Sequence, residues 1–471
     1  MIRNITHTIA SLLLLSCMFS CSSDFLDIDP EQNVSSEKAI TDVNTLQTAI
    51  NGVYSKLQSP DYYGRSMYVI PELMADNLAL STRNTGRYLD YDGFVVSEED
   101  TFADGLWNTL YEVIVNASKA IDGAEKLEAI SPEQQEQIDQ LTGEAYAIRA
   151  LAHFDLVRLF AQPYNFTADA SHLGVPVINR SEDNEISPAR NTVKEVYDQI
   201  NSDLSVAMEK IAADRKDGRF TSYAVKALAA RAYLYQEDYD NAIVWSTEVI
   251  DDGGFSLISN TDYPELWAQE FNTESIFEIV NTIADNAGTN GLGHYFDPDG
   301  YADALVTTDL YNSYAGNDVR LEAIRLGAKT GAEEEALFVY KFPKGTSRDD
   351  NVRILRLAEQ FLIRAEAYAK TGKDAEARAD LLKVVNRATP GISEIDESGT
   401  ELTDRIIEER RKELAFEGHR LFDLNRNKRD VRIIQSENSI EASYPNDRFI
   451  LPIPLNEINA NPDILPQNPG Y

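Results

Sequence analysis

Cysteine is almost absent: the 471 residues hold two, Cys17 and Cys21, both close to the N-terminus. The rest of the chain can form no internal disulfide, so its fold rests on burial alone. Positive charge is scarce too, with 43 Lys and Arg against 78 Asp and Glu and a formal net charge of −35. Such a surface repels phosphate backbones, which argues against a nucleic-acid partner. Beyond the N-terminus no apolar run approaches the roughly 20 residues of a membrane-spanning helix. There is no GxSxG, no HExxH and no phosphate-binding loop. His153, His172, His294 and His419 lack the spacing of a metal pair. Asp297-Pro298-Asp299-Gly300 starts like a calcium loop, but the ligand pattern stops there. The sequence therefore assigns no metal, no cofactor and no catalytic residue. Carboxylates are too abundant for any pair of them to argue for glycoside hydrolysis.

What is present begins with a leader. Arg3 and the amino terminus precede a largely apolar stretch, Ile5 to Phe19, the pattern of a secretory signal peptide. Ser16 and Ser20 each precede a cysteine, so cleavage leaves a cysteine first in the mature chain, where bacterial export signals accept lipid. Leu14-Leu15-Ser16-Cys17 has the cleaner spacing, whereas Met18-Phe19-Ser20-Cys21 uses the whole apolar run and abuts polar sequence. In either case several acyl chains, palmitate among them, would anchor the protein stably, as a single chain does not.

The body is mainly helical in pattern. A first helix is predicted from near Glu37 through Ala39, Val43, Leu46, Ile50 and Val53. Residues 60 to 105 lose the period and gather Tyr62, Tyr63, Tyr68, Tyr88 and Tyr91, which reads as loop with rings free to face a ligand. Helical pattern returns at Leu106 to Leu127. Ser131-Pro132-Glu133-Gln134 supplies an N-cap, a first-turn proline and a capping-box glutamine for a helix carrying Ile138, Leu141, Ala145, Ile148, Ala152, Leu156 and Leu159. A second box, Thr192 to Glu195, opens the helix of Val196, Ile200, Leu204 and Ala207. Ala230, Tyr233 and Ala242 recur as Ala365, Tyr368 and Ala377, each shifted by 135 positions. That is tetratricopeptide-like spacing, in which small residues let two antiparallel helices approach. Residues 253 to 350 interrupt the pattern with Gly, Asn, Asp and aromatics, and insertions of that length are usually functional. The tail, with Pro452, Pro454, Pro462, Pro466 and Pro469, should be non-helical and lie across the body.

Five stretches resemble the SusD/RagB family of nutrient-binding lipoproteins of Bacteroidetes: CSSDFLDIDP at Cys21, GEAYAIRALAHFDLVRLFAQPY (Gly143 to Tyr164), LAEQFLIRAEAYAKTGK (Leu357 to Lys373), ERRKELAFEGHRLFDLNR (Glu409 to Arg426) and FILPIPLNEINANPDILPQNPGY (Phe449 to Tyr471). The resemblance favours Cys21 as the lipidated residue. Residues 1–20 are then the signal peptide, 21–36 a lipidated tether, 37–252 an N-terminal SusD-like helical region and 253–471 a C-terminal SusD/RagB region. It implies an all-α body of tetratricopeptide-like helix pairs with a loop-rich, irregular ligand-binding part. It implies a surface-exposed, lipid-anchored protein of the cell outer membrane that binds oligosaccharides, or in some members peptides, and delivers them to a SusC-like TonB-dependent transporter without chemistry. A surface glycoside hydrolase and a helical-repeat scaffold that binds only protein are the rival readings.

Arg410, Glu413, Glu417, His419, Arg420 and Asp423 have the composition of an active site. They read better as architecture around a helix ending at Gly418, with Phe416, Leu421 and Phe422 in the core; Asp155 and Arg158 read the same way. The ligand site belongs in the loops, because a sugar presents C–H faces that need aromatic platforms and hydroxyls that need planar polar groups. Two stretches offer both. Asp76 to Tyr91 supplies Asn77, Arg83, Arg87 and Tyr88, and His294 to Tyr301 supplies Tyr295, Phe296 and Tyr301. Asn77, Arg83, Tyr88, Tyr295 and Tyr301 are the candidate ligand contacts.

Overall fold

Asp42 starts the first long helix. Its carboxylate accepts the Thr45 N–H at 2.8 Å, and Thr45 Oγ1 accepts the Asp42 N–H at 3.0 Å, a reciprocal capping box. The cap places the boundary later than the apolar pattern predicts. The structure, a computed structural model, describes residues 39–181, 187–212, 217–329, 335–435 and 438–471. Glu37, the leader, both cysteines and the tether lie outside these residues.

The helices of the first half are α1 (Val43–Leu57), α2 (Ser66–Leu73), α3 (Thr101–Ala124), α4 (Pro132–Phe160), α5 (Val193–Lys210), α6 (Ser222–Tyr235) and α7 (Tyr239–Asp252). Those of the second half are α8 (Leu292–Phe296), α9 (Thr308–Ser313), α10 (Leu357–Lys370), α11 (Asp374–Ala388), α12 (Gly399–Glu413), α13 (Arg420–Arg426) and α14 (Leu455–Ala460). Strands among the described residues pair antiparallel in twos: β1 (Leu78–Leu80) with β3 (Ala304–Val306), β2 (Ser275–Ile279) with β6 (Val352–Arg356), β4 (Ile324–Gly327) with β5 (Ala336–Val339), and β7 (Val431–Gln435) with β8 (Asn438–Ala442). The molecule is mainly helical, as predicted. No helix among the described residues is long and apolar enough to cross a membrane.

Ser131 caps α4 as predicted, accepting the Gln134 N–H at 3.3 Å, but the glutamine does not close the box. Gln134 Oε1 instead takes the Ile130 N–H, one residue earlier, at 2.7 Å. The Thr192 box on α5 forms in full. α6 with α7 and α10 with α11 are the two repeated pairs, and α7 packs on α10. Ala230, Ala242, Ala365 and Ala377 are fully buried, so the small side chains sit where the helices meet.

The stretch from 60 to 105 departs from the loop expectation. It contains α2 and β1, and Tyr62, Tyr63, Tyr68, Tyr88 and Tyr91 are all buried. α2 shows no apolar period because all eight residues are buried, and Pro71 lies inside it. The tyrosines tolerate burial because each hydroxyl has a partner. Tyr62 and Tyr63 both donate to Asp155 Oδ2 at 2.7 Å, Tyr91 donates to Asp100 at 2.6 Å, and Tyr68 reaches the Arg353 carbonyl.

The signature before Arg426 is architecture, buried and paired. α12 ends at Glu413, earlier than predicted, and Gly418 with φ +76° turns the chain into α13. Arg356 donates Nε to Glu417 at 2.7 Å and Nη1 to Glu413 at 2.6 Å and Glu274 at 2.9 Å. Arg410 reaches Asp423 at 2.9 Å, and Arg420 reaches Asp76 at 2.6 Å. Phe416, Leu421 and Phe422 are core, and the Arg158 guanidinium lies 4.4 Å from the Phe422 ring centre. Arg158 also pairs with Asp155 along α4. Truncating one member of such a pair leaves a buried unmatched charge, costing about 3–5 kcal/mol.

The tail crosses the body as predicted. Leu451 N–H donates to the Leu159 carbonyl and Asn468 Nδ2 to the Phe160 carbonyl, both at 2.8 Å. Its proline-free stretch nevertheless forms α14, with Pro454 as N-cap residue.

Candidate functional site

β1 and β3 pair with Leu80 opposite Ala304, so the loop after β1 and the segment before β3 leave the sheet at one end. Asp303 ties them together. Its buried carboxylate accepts the Thr85 N–H at 2.8 Å and the Thr85 hydroxyl at 2.7 Å, and the Arg87 guanidinium lies 3.4 Å away. Asn84 closes the loop by accepting the N–H of Gly86 at 2.6 Å and of Arg87 at 2.8 Å. Arg87 is thereby held with its guanidinium carbon 3.7 Å from the centre of the Tyr301 ring.

Tyr301 is half-buried, and the His294 ring meets it edge-on at 4.8 Å between centroids. Lys329, two residues past β4, donates to the Tyr301 carbonyl and, at 3.3 Å, to the Arg83 carbonyl. The site is an open rim with one stacked ring, several cations and little apolar cover. The Tyr301 phenol is held below its usual range by a hydrogen bond with Thr289 and by Arg87. Burial, Arg348 and Arg87 lower the His294 pKa, leaving the imidazole mostly neutral at pH 7.

The five candidate contacts part company here. Tyr301 and Arg83 stand at the surface of this rim. Asn77, Tyr88 and Tyr295 are buried and reach no open surface. Asn77 donates to Glu72 at 2.7 Å and accepts from Arg411 at 3.0 Å, locking α2 to α12. Tyr88 takes Arg65 Nε at 2.7 Å and lies edge-on to Tyr295 at 5.9 Å. These two rings pack on each other in the core. Cys21, the predicted lipid acceptor, lies outside the described residues.

Beside the rim runs a groove of about 690 Å³ between the β1–β3, β4–β5 and β7–β8 pairs, with Leu80, Leu305, Leu326, Tyr311 and Ile433 in its walls. Thr82 lines it, one residue from Arg83. Tyr311 and Leu326 are 38% and 66% exposed, so apolar surface is open to a ligand. Sequence reasoning missed this groove because its walls are strands of three to five residues, too short for an alternation to stand out. A hollow of about 750 Å³ near the start of α4 is walled by Glu133, Glu136, Asp139 and Lys210 and has no ring to stack on a sugar. Another, between α4 and α13, holds only about 20 Å³. Among the described residues no group of His, Asp and Glu is placed to hold a metal ion.

Residues 24–234 match a family described as starch-binding and associating with the outer membrane, and residues 328–471 match the SusD family. The unmatched interval carries β2, α8, β3, β4 and Tyr301. A SusD-like protein of Formosa agariphila is 27% identical over 100% of this chain and 99% of its own length. The solved structure of a candidate sugar-binding protein of Bacteroides vulgatus superposes with a TM-score of 0.84 at 31% identity, covering 92% of this chain and 99% of that one. A SusD superfamily protein of Bacteroides thetaiotaomicron gives a TM-score of 0.84 at 30% identity, over 91% of this chain and 100% of that one. With sequence and fold in agreement over nearly its whole length, the chain belongs to the SusD/RagB family.

Proposed function

We propose that this protein binds oligosaccharides at the cell surface and hands them to a SusC-like TonB-dependent transporter, performing no chemistry on them. The observation that carries the reading is the Tyr301 platform, backed by Arg87 at 3.7 Å and bordering a groove of about 690 Å³ with exposed Tyr311. Ring faces and planar donors at the edge of an open groove suit a chain of sugars better than an enclosed small molecule. The description of the matched N-terminal family, starch-binding and outer-membrane associated, supports the same ligand class and the same place. Lipid on Cys21 would supply the anchor.

Binding without catalysis is supported by where the acids and bases are. His153 and His419 are buried, and burial followed by Arg149 lowers the His153 pKa to about 3, so it cannot shuttle protons near neutrality. Glu413, Glu417 and Asp423 are locked in ion pairs away from the rim. The test is affinity electrophoresis through gels containing polysaccharides, with Tyr301→Ala and Tyr311→Ala beside the parent chain. A retarded parent and unretarded, fully folded variants are expected. Release of reducing ends during incubation would sink the non-catalytic reading.

A further inference from the structure

Cations gather at the rim around Tyr301. In a chain of net charge −35, Arg83, Arg87, Lys329 and Arg348 stand there, with Asp297, Asp299 and Asp303 nearby and Asp349 and Asp350 next to Arg348. Asp303 is already saturated by Thr85 and Arg87. Among the described residues, Arg83, Lys329 and Arg348 form no ion pair. The Arg83 guanidinium has no hydrogen-bond partner among them, and Lys329 spends two of its three donors on backbone carbonyls. Many buried arginines of this protein are tied to carboxylates, as Arg231 is to Glu359 at 2.7 Å and Arg426 to Glu366 at 2.5 Å, whereas others, such as Arg65 and Arg448, spend their donors on hydroxyl, amide or backbone oxygens. Arg83, with a free guanidinium, and Lys329 therefore leave cations without a carboxylate beside the Tyr301 ring.

We propose that the sugars bound at this rim are anionic, carrying carboxylate or sulfate groups that Arg83, Arg87 and Lys329 receive while Tyr301 stacks on the ring. Planar guanidinium forks match both oxyanions, and charge-assisted hydrogen bonds are stronger than neutral ones. Tyr301 is lowered first by a hydrogen bond with Thr289 and then by Arg87, and His294 first by burial and then by Arg348, with Asp297 opposing. Long-range repulsion by the acidic body does not prevent this binding. At physiological salt charges more than about 8 Å apart are largely screened, whereas contacts at the rim are direct.

This inference rests on the glycan-binding reading, and the experiment separates the two. The purified full chain is titrated with polygalacturonate and its fully methyl-esterified form, and with a sulfated galactan and its desulfated counterpart. Affinity is read by calorimetry at about 50 and about 500 mM NaCl, across which exposed charge pairs are screened. One charged polymer is expected to bind at least about tenfold tighter than its neutral partner, with the advantage shrinking in high salt. Which pair responds names carboxylate or sulfate. Arg83→Gln with Lys329→Gln should abolish the advantage without moving the melting temperature; a variant that unfolds is replaced by Arg83→Lys, which keeps charge but loses the fork. Equal or tighter binding of the neutral polymers, lost in Tyr301→Ala, overturns the anionic assignment and leaves glycan binding standing. Failure of every charged polymer overturns the assignment too, and peptide binding in their place overturns the glycan reading itself.

Discussion

The Glu72 carboxylate accepts the Gly418 backbone N–H at 3.0 Å, tying α2 to the turn between α12 and α13. The same oxygen takes the His419 N–H at 3.1 Å. The approach requires glycine: φ is +76°, and a Cβ there would stand 2.4 Å from the Met67 carbonyl oxygen. Gly418→Ala is therefore expected to cost about 3 kcal/mol or more, from backbone strain and from the clash together. Gly372 has nearly the same φ, +74°, but open space around it, so Gly372→Ala should cost only about 1–2 kcal/mol. Urea unfolding of both variants checks this, and equal losses would mean that the contact with α2 contributes nothing.

Two tyrosines six residues apart should behave oppositely. Tyr295 is fully buried against Tyr88 and Phe296, so Tyr295→Ala should destabilise by about 3–5 kcal/mol, as Phe422→Ala should. Tyr301 is half-buried on the rim, so Tyr301→Ala should leave the melting temperature almost unchanged while weakening glycan binding. Melting curves beside calorimetric titrations separate the two. A fully stable Tyr295→Ala that has lost only binding would return Tyr295 to the ligand site.

That contrast shows what a sequence can reveal. Helices with a one-sided apolar face, α1, α3 and α5, are legible from spacing, because burial on one side leaves a period of 3.6. α2 is not, since it is buried on all sides. The signature acids and arginines are legible as architecture because their density in one short stretch demands mutual pairing. Tyr88 and Tyr301 are indistinguishable in composition, both being tyrosines in loops rich in Gly and Asn. What separates them is a long-range partner: Arg65 and Ser66 take the Tyr88 hydroxyl into the core, while Asp303 aligns the loop that stacks Arg87 on Tyr301. No local pattern encodes such partners.

Acid and base should affect stability through different groups. Burial pushes the Asp350 carboxyl up to about 7 although the Lys344 backbone N–H and charge oppose it. The folded chain then holds this proton more tightly than an unfolded aspartate of pKa about 3.9. Its contribution favours the folded state below about pH 4 and is lost as pH rises through about 7. Asp423 runs the other way. Burial raises it, but Arg410 and Arg426 prevail and bring it to about 2, so its contribution is present above about pH 4 and lost as pH falls toward 2. Asp350→Asn should raise the melting temperature by several degrees at about pH 8 and hardly at all at about pH 4. An equal shift at both values would show that Asp350 is not the titrating group.

Anchoring gives a prediction independent of the folded body. If Cys21 carries the lipid, Cys21→Ala should release the protein from membranes or leave it unprocessed, since no described helix can hold it there. Fractionation and the mass of the mature chain decide. A variant that stays membrane-bound and normally processed, while Cys17→Ala does not, moves the cleavage site to Cys17.

The partner makes the broadest prediction. A ligand rim needs a few side chains, whereas a lid on a transporter needs a wide surface, and lasting complexes bury more than about 2,000 Å² around an apolar centre. If residues 1–20 are removed as the predicted signal peptide, Arg3 goes with them and the chain carries 42 basic and 78 acidic residues. Apolar burial, rather than attraction between opposite charges, is expected to supply the affinity. Apolar burial is not screened by salt, while exposed ion pairs are. The tagged protein solubilised from outer membrane in mild detergent should therefore bring down a large TonB-dependent barrel at both low and high salt. Loss of the barrel at high salt alone would assign the contact to charge rather than to apolar burial. Recovery of the protein by itself under mild conditions would leave it an independent binder, and the delivery step would have to be abandoned.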